Sequence, residues 1–262
     1  MAQELTISYL EQLANTLKPA LYEAGAVIMA IHKRKISARL KPDGSPVSEA
    51  DEAAEAILLP ALAKAAPDIR VISEENAASH HLDVAPLFFL VDPIDGTKEF
   101  LKPDGQGSFT VNIGLIQNGV PVMGLVYAPA FDALYMGVAG HQALKITNGH
   151  TQLLSVRDVP ATGAVAVASA SHRDEATNHW LAKHQITETK SIGSSLKFCL
   201  VAEGVADVYP RFGPTMEWDT AAGDAVLRAA GGMVMTTDYQ PYPYGKAYYR
   251  NTAFIATGRW RA

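Results

Sequence analysis

An apolar segment that ends in a carboxylate-rich turn constrains this chain more than any other feature. Residues 87–91 form a continuous apolar run (LFFLV), typical of a strand buried on both faces, and residues 92–97 (DPIDGT) follow directly. Pro93 lacks a backbone donor and Gly96 can adopt a left-handed conformation, so we expect the strand to end at Asp92 and the chain to turn. Two aspartates on such a turn can bind Mg²⁺ with their hard oxygen ligands, or can simply cap the turn.

Length and composition predict a soluble globular enzyme with one large α/β unit in two lobes. The chain has 262 residues, of which 48% are hydrophobic and 19% charged. No apolar run approaches the roughly 20 residues that span a bilayer, so no transmembrane segment is expected. The net charge of −5 argues against binding to a nucleic-acid polymer and favours a small-molecule partner.

Two further features predict a cytoplasmic location. The N-terminus lacks a basic segment followed by an apolar one, so nothing there resembles a secretory signal. Cys199 is the single cysteine and has apolar neighbours, which favours a buried, inert thiol in a reducing compartment. The sequence leaves open whether the protein visits the inner surface of a membrane, and whether it is a monomer or a dimer.

Hydrophobic periodicity and turn residues predict alternating helices and strands. Helices are expected over 5–31 (one or two, because of Pro19), 49–66 with Ser48 as a candidate cap, 177–184, 193–203 and 217–230. Strands are expected over 69–72, 87–91, 109–116, 120–127, 133–138, 164–168, 190–192 and 207–209, with an Asn118-Gly119 hairpin. The texture changes near Val156, which predicts an N-terminal α+β lobe over 1–155 and a C-terminal α/β lobe over 156–262.

Acidic residues recur at the ends of these elements. Asp51 lies near a predicted helix start, Glu74 follows a predicted strand, and Asp92 with Asp95 occupies the turn described above. Asp219 lies in the first turn of the helix predicted over 217–230. The recurrence favours a common acidic site over an isolated capped turn.

The order and spacing of these segments resemble a known superfamily. Glu74-Glu75, then DPIDGT at 92–97, then WDTAAGD at 218–224 resemble the magnesium-dependent, lithium-sensitive phosphatases that include inositol monophosphatases and fructose-1,6-bisphosphatases. The resemblance implies an α/β (α+β) protein, folded as a layered α/β/α/β/α sandwich. It also implies Mg²⁺ as the cofactor, with two or three ions.

Three further segments resemble bacterial 3'(2'),5'-bisphosphate nucleotidases within this superfamily. They are KEF at 98–100, GSSLKFC at 193–199 and YPRFGP at 209–214. Inositol monophosphatases typically have a glutamate where Arg211 stands. The resemblance implies hydrolysis of the 3'-phosphate of adenosine 3',5'-bisphosphate to AMP and phosphate, in support of sulfate assimilation, and it leaves action on the sulfated analogue open.

The resemblance also implies roles for individual residues. Glu74, Asp92 and the Ile94 carbonyl would hold one Mg²⁺, while Asp92, Asp95 and Asp219 would hold a second. Thr97 and Glu74 would orient the attacking water, and Asp51 would hydrogen-bond to Thr97. The catalytic set is Glu74, Thr97, Asp51 and Asp95. The substrate-contacting set is Glu74, Ile94, Asp95, Gly96, Thr97, Lys98, Ser194, Ser195, Arg211 and Asp219.

Several of these residues have a plainer interpretation. Lys98 can pair with Glu99 at the surface, and Ser194-Ser195 can cap the helix that follows. Lys41 can line the mouth of the site or lie in a solvated loop. His80, His81, His172, His179 and His184 lack the spacing of a zinc site, which favours surface or structural roles.

Two other functions stay open at this point. One is an inositol-phosphate or sugar-phosphate phosphatase that uses the same metal site, against which Arg211 argues. The other is an inactive metal- or nucleotide-binding regulator, which predicts a missing ligand, whereas every expected acid is present.

Overall fold

The computed structural model describes residues 5–34, 39–40, 46–47, 49–101, 107–169 and 174–262. The predicted roles of Lys41, Ser48 and His172 fall outside the described residues. No helix of the described part of the chain combines the length and the apolar composition needed to cross a bilayer.

The N-terminal residues form a pair of long helices. The first, α1 (Ile7–His32), is one continuous helix that begins at the Thr6 cap and contains Pro19. After the short strands β1 (Arg39–Leu40) and β2 (Pro46–Val47) comes α2 (Glu49–Ala65). The two helices pack against each other and against one face of the larger sheet.

The larger sheet has seven strands in the order β3-β4-β5-β6-β7-β8-β9. Its strands are β3 (Arg70–Ser73), β4 (Leu87–Asp95), β5 (Thr110–Gln117), β6 (Val120–Ala128), β7 (Ala133–Val138), β8 (Ala143–Thr147) and β9 (His150–Leu154), with the short helix α3 (Thr97–Leu101) after β4. β3 runs parallel to β4, and all other neighbouring pairs are antiparallel, with the predicted meander at β5, β6 and β7. The Asn118-Gly119 hairpin is confirmed, with positive φ at both residues. The last two strands at one edge, β8 and β9, were not anticipated.

The prediction that the strand ends at Asp92 is wrong. β4 continues to Asp95: Asp92 pairs with Asn112, Asp95 pairs with Thr110, and the register shifts between the two pairs. A bulge of this kind tolerates Pro93, which cannot donate to the ladder. The bulge therefore keeps both aspartates attached to a buried strand instead of a free turn.

The smaller sheet has five strands in the order β11-β10-β12-β14-β13. Its elements are β10 (Val165–Ser169), α4 (Glu175–Lys183), β11 (Glu188–Ile192), α5 (Leu196–Ala202), β12 (Val208–Arg211), α6 (Ala221–Ala229), β13 (Met233–Thr236) and β14 (Phe254–Thr257). β13 and β14 arise from the tail, for which no strand was predicted. β14 lies between β12 and β13 and is antiparallel to both.

The layers confirm the α/β/α/β/α sandwich. α1 and α2 cover the outer face of the larger sheet, α5 and α6 lie between the sheets, and α4 packs on the smaller one. The boundary predicted at 155/156 falls between the last strand of the larger sheet and the first of the smaller. One buried cluster runs from Phe88 to Val165 and Phe254 across both halves, so the division into two lobes stays a prediction.

A row of glycines seats α6 directly on the larger sheet. Gly114, Gly124 and Gly137 lie side by side on β5, β6 and β7. A Cβ at Gly124 would lie 2.2 Å from the Ala222 carbonyl oxygen, and one at Gly137 would lie 2.5 Å from the Cα of Val226. Only glycine allows this approach, which places the start of α6 directly against the middle of β5 and β6.

Candidate active site

Three acids from separate segments meet at one end of the larger sheet. Glu74 follows β3 and donates its backbone N–H to Val91 O at 3.0 Å, while Asp92 lies on the neighbouring β4. Because β3 and β4 are parallel, their carboxyl ends lie at the same edge. Asp219 approaches from the segment before α6, and one oxygen of each acid lies within 4.8 Å of the others. We call Glu74, Asp92 and Asp219 the acid cluster.

Asp92 is the least satisfied member of the acid cluster. Its side chain is buried, and neither carboxylate oxygen has a hydrogen-bond partner among the residues that the structure describes. Burial raises the pKa of Asp92 well above its usual range, and repulsion from Glu74, Asp95 and Asp219 raises it further. Burial and the neighbouring acids also raise the pKa of Asp219. Bare carboxylates in this arrangement destabilise the fold at neutral pH.

A divalent cation fits the acid cluster on these observations. The possible metal ligands are carboxylate oxygens, which suit Mg²⁺, and one oxygen of each acid converges on the same place. Asp92 is buried there without a hydrogen-bond partner among the described residues. A cation would offset the repulsion that raises the pKa values of Asp92 and Asp219. The acid cluster is therefore a candidate metal centre.

Asp95 lies outside the set of acids that converges within 4.8 Å, and Ile94 precedes it on the same strand. Asp95 Oδ2 accepts a hydrogen bond from Ser195 Oγ at 3.0 Å, and burial raises the pKa of Asp95 although the charge of Lys197 opposes this. The Ile94 carbonyl accepts from Thr97 Oγ1 at 3.2 Å. Both residues line the cavity described below, and their predicted metal ligation stays a prediction.

The Thr97 hydroxyl lies at the start of α3, next to the acids. The hydroxyl donates to the Ile94 carbonyl. It also lies 3.5 Å from Asp51 Oδ1, which is long for a hydrogen bond. Asp51 is buried in the first turn of α2, so this contact joins the helical layer to the sheet edge. The structure thus brings together the predicted Thr97–Asp51 pair, and the role of this pair in orienting water stays a prediction.

Asp219 lies on a short 3-10 turn, so the single helix predicted over 217–230 is wrong. Glu217–Asp219 forms the turn, Thr220 has a non-helical conformation with φ −122°, and α6 begins at Ala221. Asp219 Oδ2 accepts from the backbone N–H of Met216 at 2.8 Å and closes the turn. The break at Thr220 separates the turn that carries Asp219 from α6, and on this turn Asp219 lies in the acid cluster.

The acids open into a cavity of about 590 Å³ that also contains cationic side chains. Gly96, Thr97 and the exposed Lys98 line it from the larger sheet, and Ser194 and Arg211 line it from the smaller one. A pocket of this size fits a small polar ligand. Both signs of charge thus line one cavity.

Arg211 ends β12 and is poised toward this cavity. Its Nη2 donates to Pro214 O at 3.1 Å. Its buried Nε has no acceptor among the residues that the structure describes. A guanidinium that is anchored through Nη2 and keeps another N–H without an acceptor is well suited to bind an anionic oxygen of a ligand.

Lys197 also lines the cavity, beside Lys98 and Arg211, and was missed by sequence analysis. It lies on α5 with 5% of its surface exposed, and its Nζ donates to Ser194 O at 2.6 Å. Burial lowers the pKa of Lys197 to about 8, against the opposing effect of Asp95. The available signal was a lysine inside an otherwise apolar helix. We call Lys197 and Arg211 the cation pair.

The two predicted serines lie in different places. Ser194 lines the cavity and has a left-handed backbone, with φ 53°. Ser195 is 1% exposed, and its hydroxyl bonds to Asp95, Asn112 and the Asp219 carbonyl. Ser195 stands at the N-cap position of α5, but its side chain makes no cap bond. The Ser194 hydroxyl instead accepts from the backbone N–H of Leu196 at 3.4 Å, so of the two serines predicted to cap this helix only Ser194 does so through its side chain. The contacts of Ser195 hold Asp95 and the backbone of Asp219 in place. Direct contact with substrate stays a prediction for both serines.

Comparison with known sequences accounts for this arrangement. The sequence model of the Inositol monophosphatase family matches residues 9–262. The chain belongs to the inositol monophosphatase family. Enzymes of this family depend on metal ions, which agrees with the acid cluster.

Curated relatives and solved structures agree with this assignment. A protein of Shigella flexneri named 3'(2'),5'-bisphosphate nucleotidase CysQ is 45% identical over 224 residues, which cover 84% of this chain and 89% of the relative. The relative of the same name in Escherichia coli K12 is 44% identical over 224 residues, with the same coverage. The crystal structure of CysQ from Bacteroides thetaiotaomicron matches with a TM-score of 0.82 and 36% identity, over 98% of this chain and 100% of that one. An inositol monophosphatase from Anabaena matches with a TM-score of 0.73 and 26% identity, over 95% and 91%.

Proposed function

We propose that this chain is a metal-dependent 3'(2'),5'-bisphosphate nucleotidase. It removes the 3'-phosphate of adenosine 3',5'-bisphosphate to give AMP and phosphate, and so acts in sulfate assimilation. One observation carries the proposal: the acid cluster and the cation pair line the same cavity. The names of the curated relatives support it.

The charge pattern suits a substrate with two phosphates. A phosphate that is to be hydrolysed needs cations and a water held against it, which the acid cluster provides through Mg²⁺. A phosphate that is only bound needs donors and positive charge, which Lys197 and Arg211 provide. A neutral polyol has no use for the second subsite.

The residues of the chain then have separate tasks in the hydrolysis. When bound, Mg²⁺ neutralises charge on the phosphoryl group and helps to activate the attacking water. Thr97, supported by Asp51, accepts a hydrogen bond from that water, and Glu74 takes its proton as the oxygen bonds to phosphorus. The bond between phosphorus and the ribose 3'-oxygen breaks, and this oxygen leaves with the electron pair and takes up a proton from solvent, while Glu74 returns to solvent the proton that it took. Lys197 and Arg211 hold the 5'-phosphate in place.

The most direct test compares substrates. We expect Mg²⁺-dependent phosphate release from adenosine 3',5'-bisphosphate to have a kcat/KM at least about tenfold higher than that from inositol 1-phosphate, because only the former uses the cation pair. A higher kcat/KM for the inositol ester would contradict the proposal. Asp95→Asn controls for contaminating phosphatases, because it should nearly abolish turnover of every substrate.

A further inference from the structure

The turn that carries Asp219 is held in place by residues outside it. Residues 212–215 before it form a loop with no regular secondary structure. One Asp219 oxygen accepts from the backbone N–H of Met216, a contact within the turn itself. A metal ligand on such a segment needs external contacts to keep its orientation.

Asn251 makes contacts on both sides of Asp219. Its Nδ2 lies 2.7 Å from Met216 O and 3.1 Å from the side-chain oxygens of Thr215 and Thr220. Its backbone N–H also donates to Thr215 O at 3.0 Å. Asn251 is 8% exposed, so these bonds lie in the interior. One side chain thus ties the chain before the turn to the residue after it.

The neighbouring loop strengthens the same turn at other points. Glu217 is fully buried and accepts from the backbone N–H groups of Gly245 and Lys246 at 2.8 Å each. The Tyr244 hydroxyl donates to Thr220 Oγ1 at 3.2 Å. These contacts reach single residues of the turn, whereas the amide of Asn251 bridges its two ends.

Asn251 is itself anchored to a rigid element. It precedes β14 by three residues, and β14 is paired on both edges. Its amide nitrogen is a donor with two hydrogens, and its contacts in the turn are acceptors. Alanine would remove all three contacts, so that Thr220 Oγ1 would keep only the Tyr244 hydroxyl and Met216 O only the Asp219 N–H as donors. Aspartate would place an acceptor opposite the Met216 carbonyl.

We infer that Asn251 is a positioning residue that orients Asp219 for binding a divalent cation. The inference rests on the metal site of the proposed function. Residues that orient metal ligands without touching the metal commonly contribute 10–100-fold to affinity, as an order of magnitude. Asn251 lies in the tail, which the sequence motifs do not cover.

The test is calorimetric titration of metal-free protein with MgCl₂, in the absence of substrate. We expect Asn251→Ala to bind Mg²⁺ about 10–100-fold more weakly than the unsubstituted chain, by analogy with other residues that support metal ligands. Its phosphatase activity should recover at saturating Mg²⁺, because Asn251 is not among the residues that line the cavity. Asn251→Ser, a milder change with a shorter donor, should give a smaller loss of affinity if the alanine variant folds poorly.

Tyr242→Phe is the matched control. It removes the hydrogen bond from the Tyr242 hydroxyl to Thr252 O, 2.8 Å long, which reaches the residue after Asn251 but none of residues 215–220. It should lower the melting temperature without changing Mg²⁺ affinity. The role of Asn251 would be overturned if Asn251→Ala bound Mg²⁺ as tightly as the unsubstituted chain. It would also be overturned if Asn251→Ala and Tyr242→Phe lost the same amount of Mg²⁺ affinity. Failure of the unsubstituted chain to bind Mg²⁺ would overturn the metal site itself.

Discussion

The two charged sides of the cavity are built in different ways. Two members of the acid cluster belong to neighbouring parallel strands of the larger sheet: Glu74 directly follows β3, and Asp92 lies at the bulge of β4. The cation pair comes from the smaller sheet side, with Lys197 on a seven-residue helix and Arg211 at the end of a four-residue strand. The acids repel each other without a cation, while the cations face acids across the cavity. We therefore propose that the acidic side depends on a bound cation for its stability and that the cationic side selects the substrate.

The largest expected effect separates these roles on the acidic side. Asp92→Asn should lower kcat/KM by about 1,000-fold or more, because the metal loses a central ligand. The same change should raise the melting temperature of metal-free protein, because it removes a buried charge whose oxygens have no donor among the described residues. Steady-state kinetics and metal-free thermal unfolding measure the two effects. A drop in metal-free stability would show that Asp92 is satisfied without a cation.

The same reasoning fixes the pH dependence of stability. Because the folded-state pKa of Asp92 is raised, the folded chain binds protons more tightly than the unfolded chain. Metal-free stability should therefore fall as the pH rises from about 4, the ordinary carboxyl value, through the raised pKa of the folded state. Mg²⁺ should suppress this fall. Denaturant unfolding at several pH values, with and without Mg²⁺, is the measurement, and a metal-free stability that rises over this range would contradict the assignment.

The difference between the two sides also decides what the sequence can reveal. The acidic turn follows an obvious apolar strand and stands in one contiguous motif, so Asp92 and Asp95 are identifiable without coordinates. Lys197 has apolar neighbours on a short helix, and nothing local indicates that its ammonium group reaches the cavity. Asn251 is harder still, because its partners lie about 35 residues away in sequence and meet it only through the pairing of β14.

The layered fold could be predicted from motifs, but its close packing could not. Gly114, Gly124 and Gly137 lie within strands where glycine ordinarily weakens pairing. Their purpose becomes visible only when α6 lies against them. The bulge between Asp92 and Asp95 is similar: proline predicts an interruption, and only the register with β5 shows that pairing resumes after it.

On the cationic side, a smaller and more selective effect is expected. Lys197→Met removes the charge and keeps most of the volume, so KM for adenosine 3',5'-bisphosphate should rise about 10–100-fold, as for loss of a charge-assisted contact. KM for adenosine 3'-monophosphate should change little, because that substrate lacks the second phosphate. Lys145→Met is the matched control: this lysine pairs with Glu203 at 2.9 Å and does not line the cavity. Equal changes for both nucleotides would remove the proposed selectivity.

The smallest effect tests whether the buried lysine acts through its charge. Burial lowers the pKa of Lys197 to about 8, so its ammonium form predominates at pH 7 and is mostly lost by pH 9. KM for the bisphosphate should therefore rise by up to about tenfold between these pH values, which matches the fall in the charged fraction for one group. Lys197→Arg keeps its charge over this range and should abolish the rise, whereas Lys197→Met should show a uniformly high KM. A rise of the same size in both variants would assign the titration to another group and leave Lys197 a packing residue.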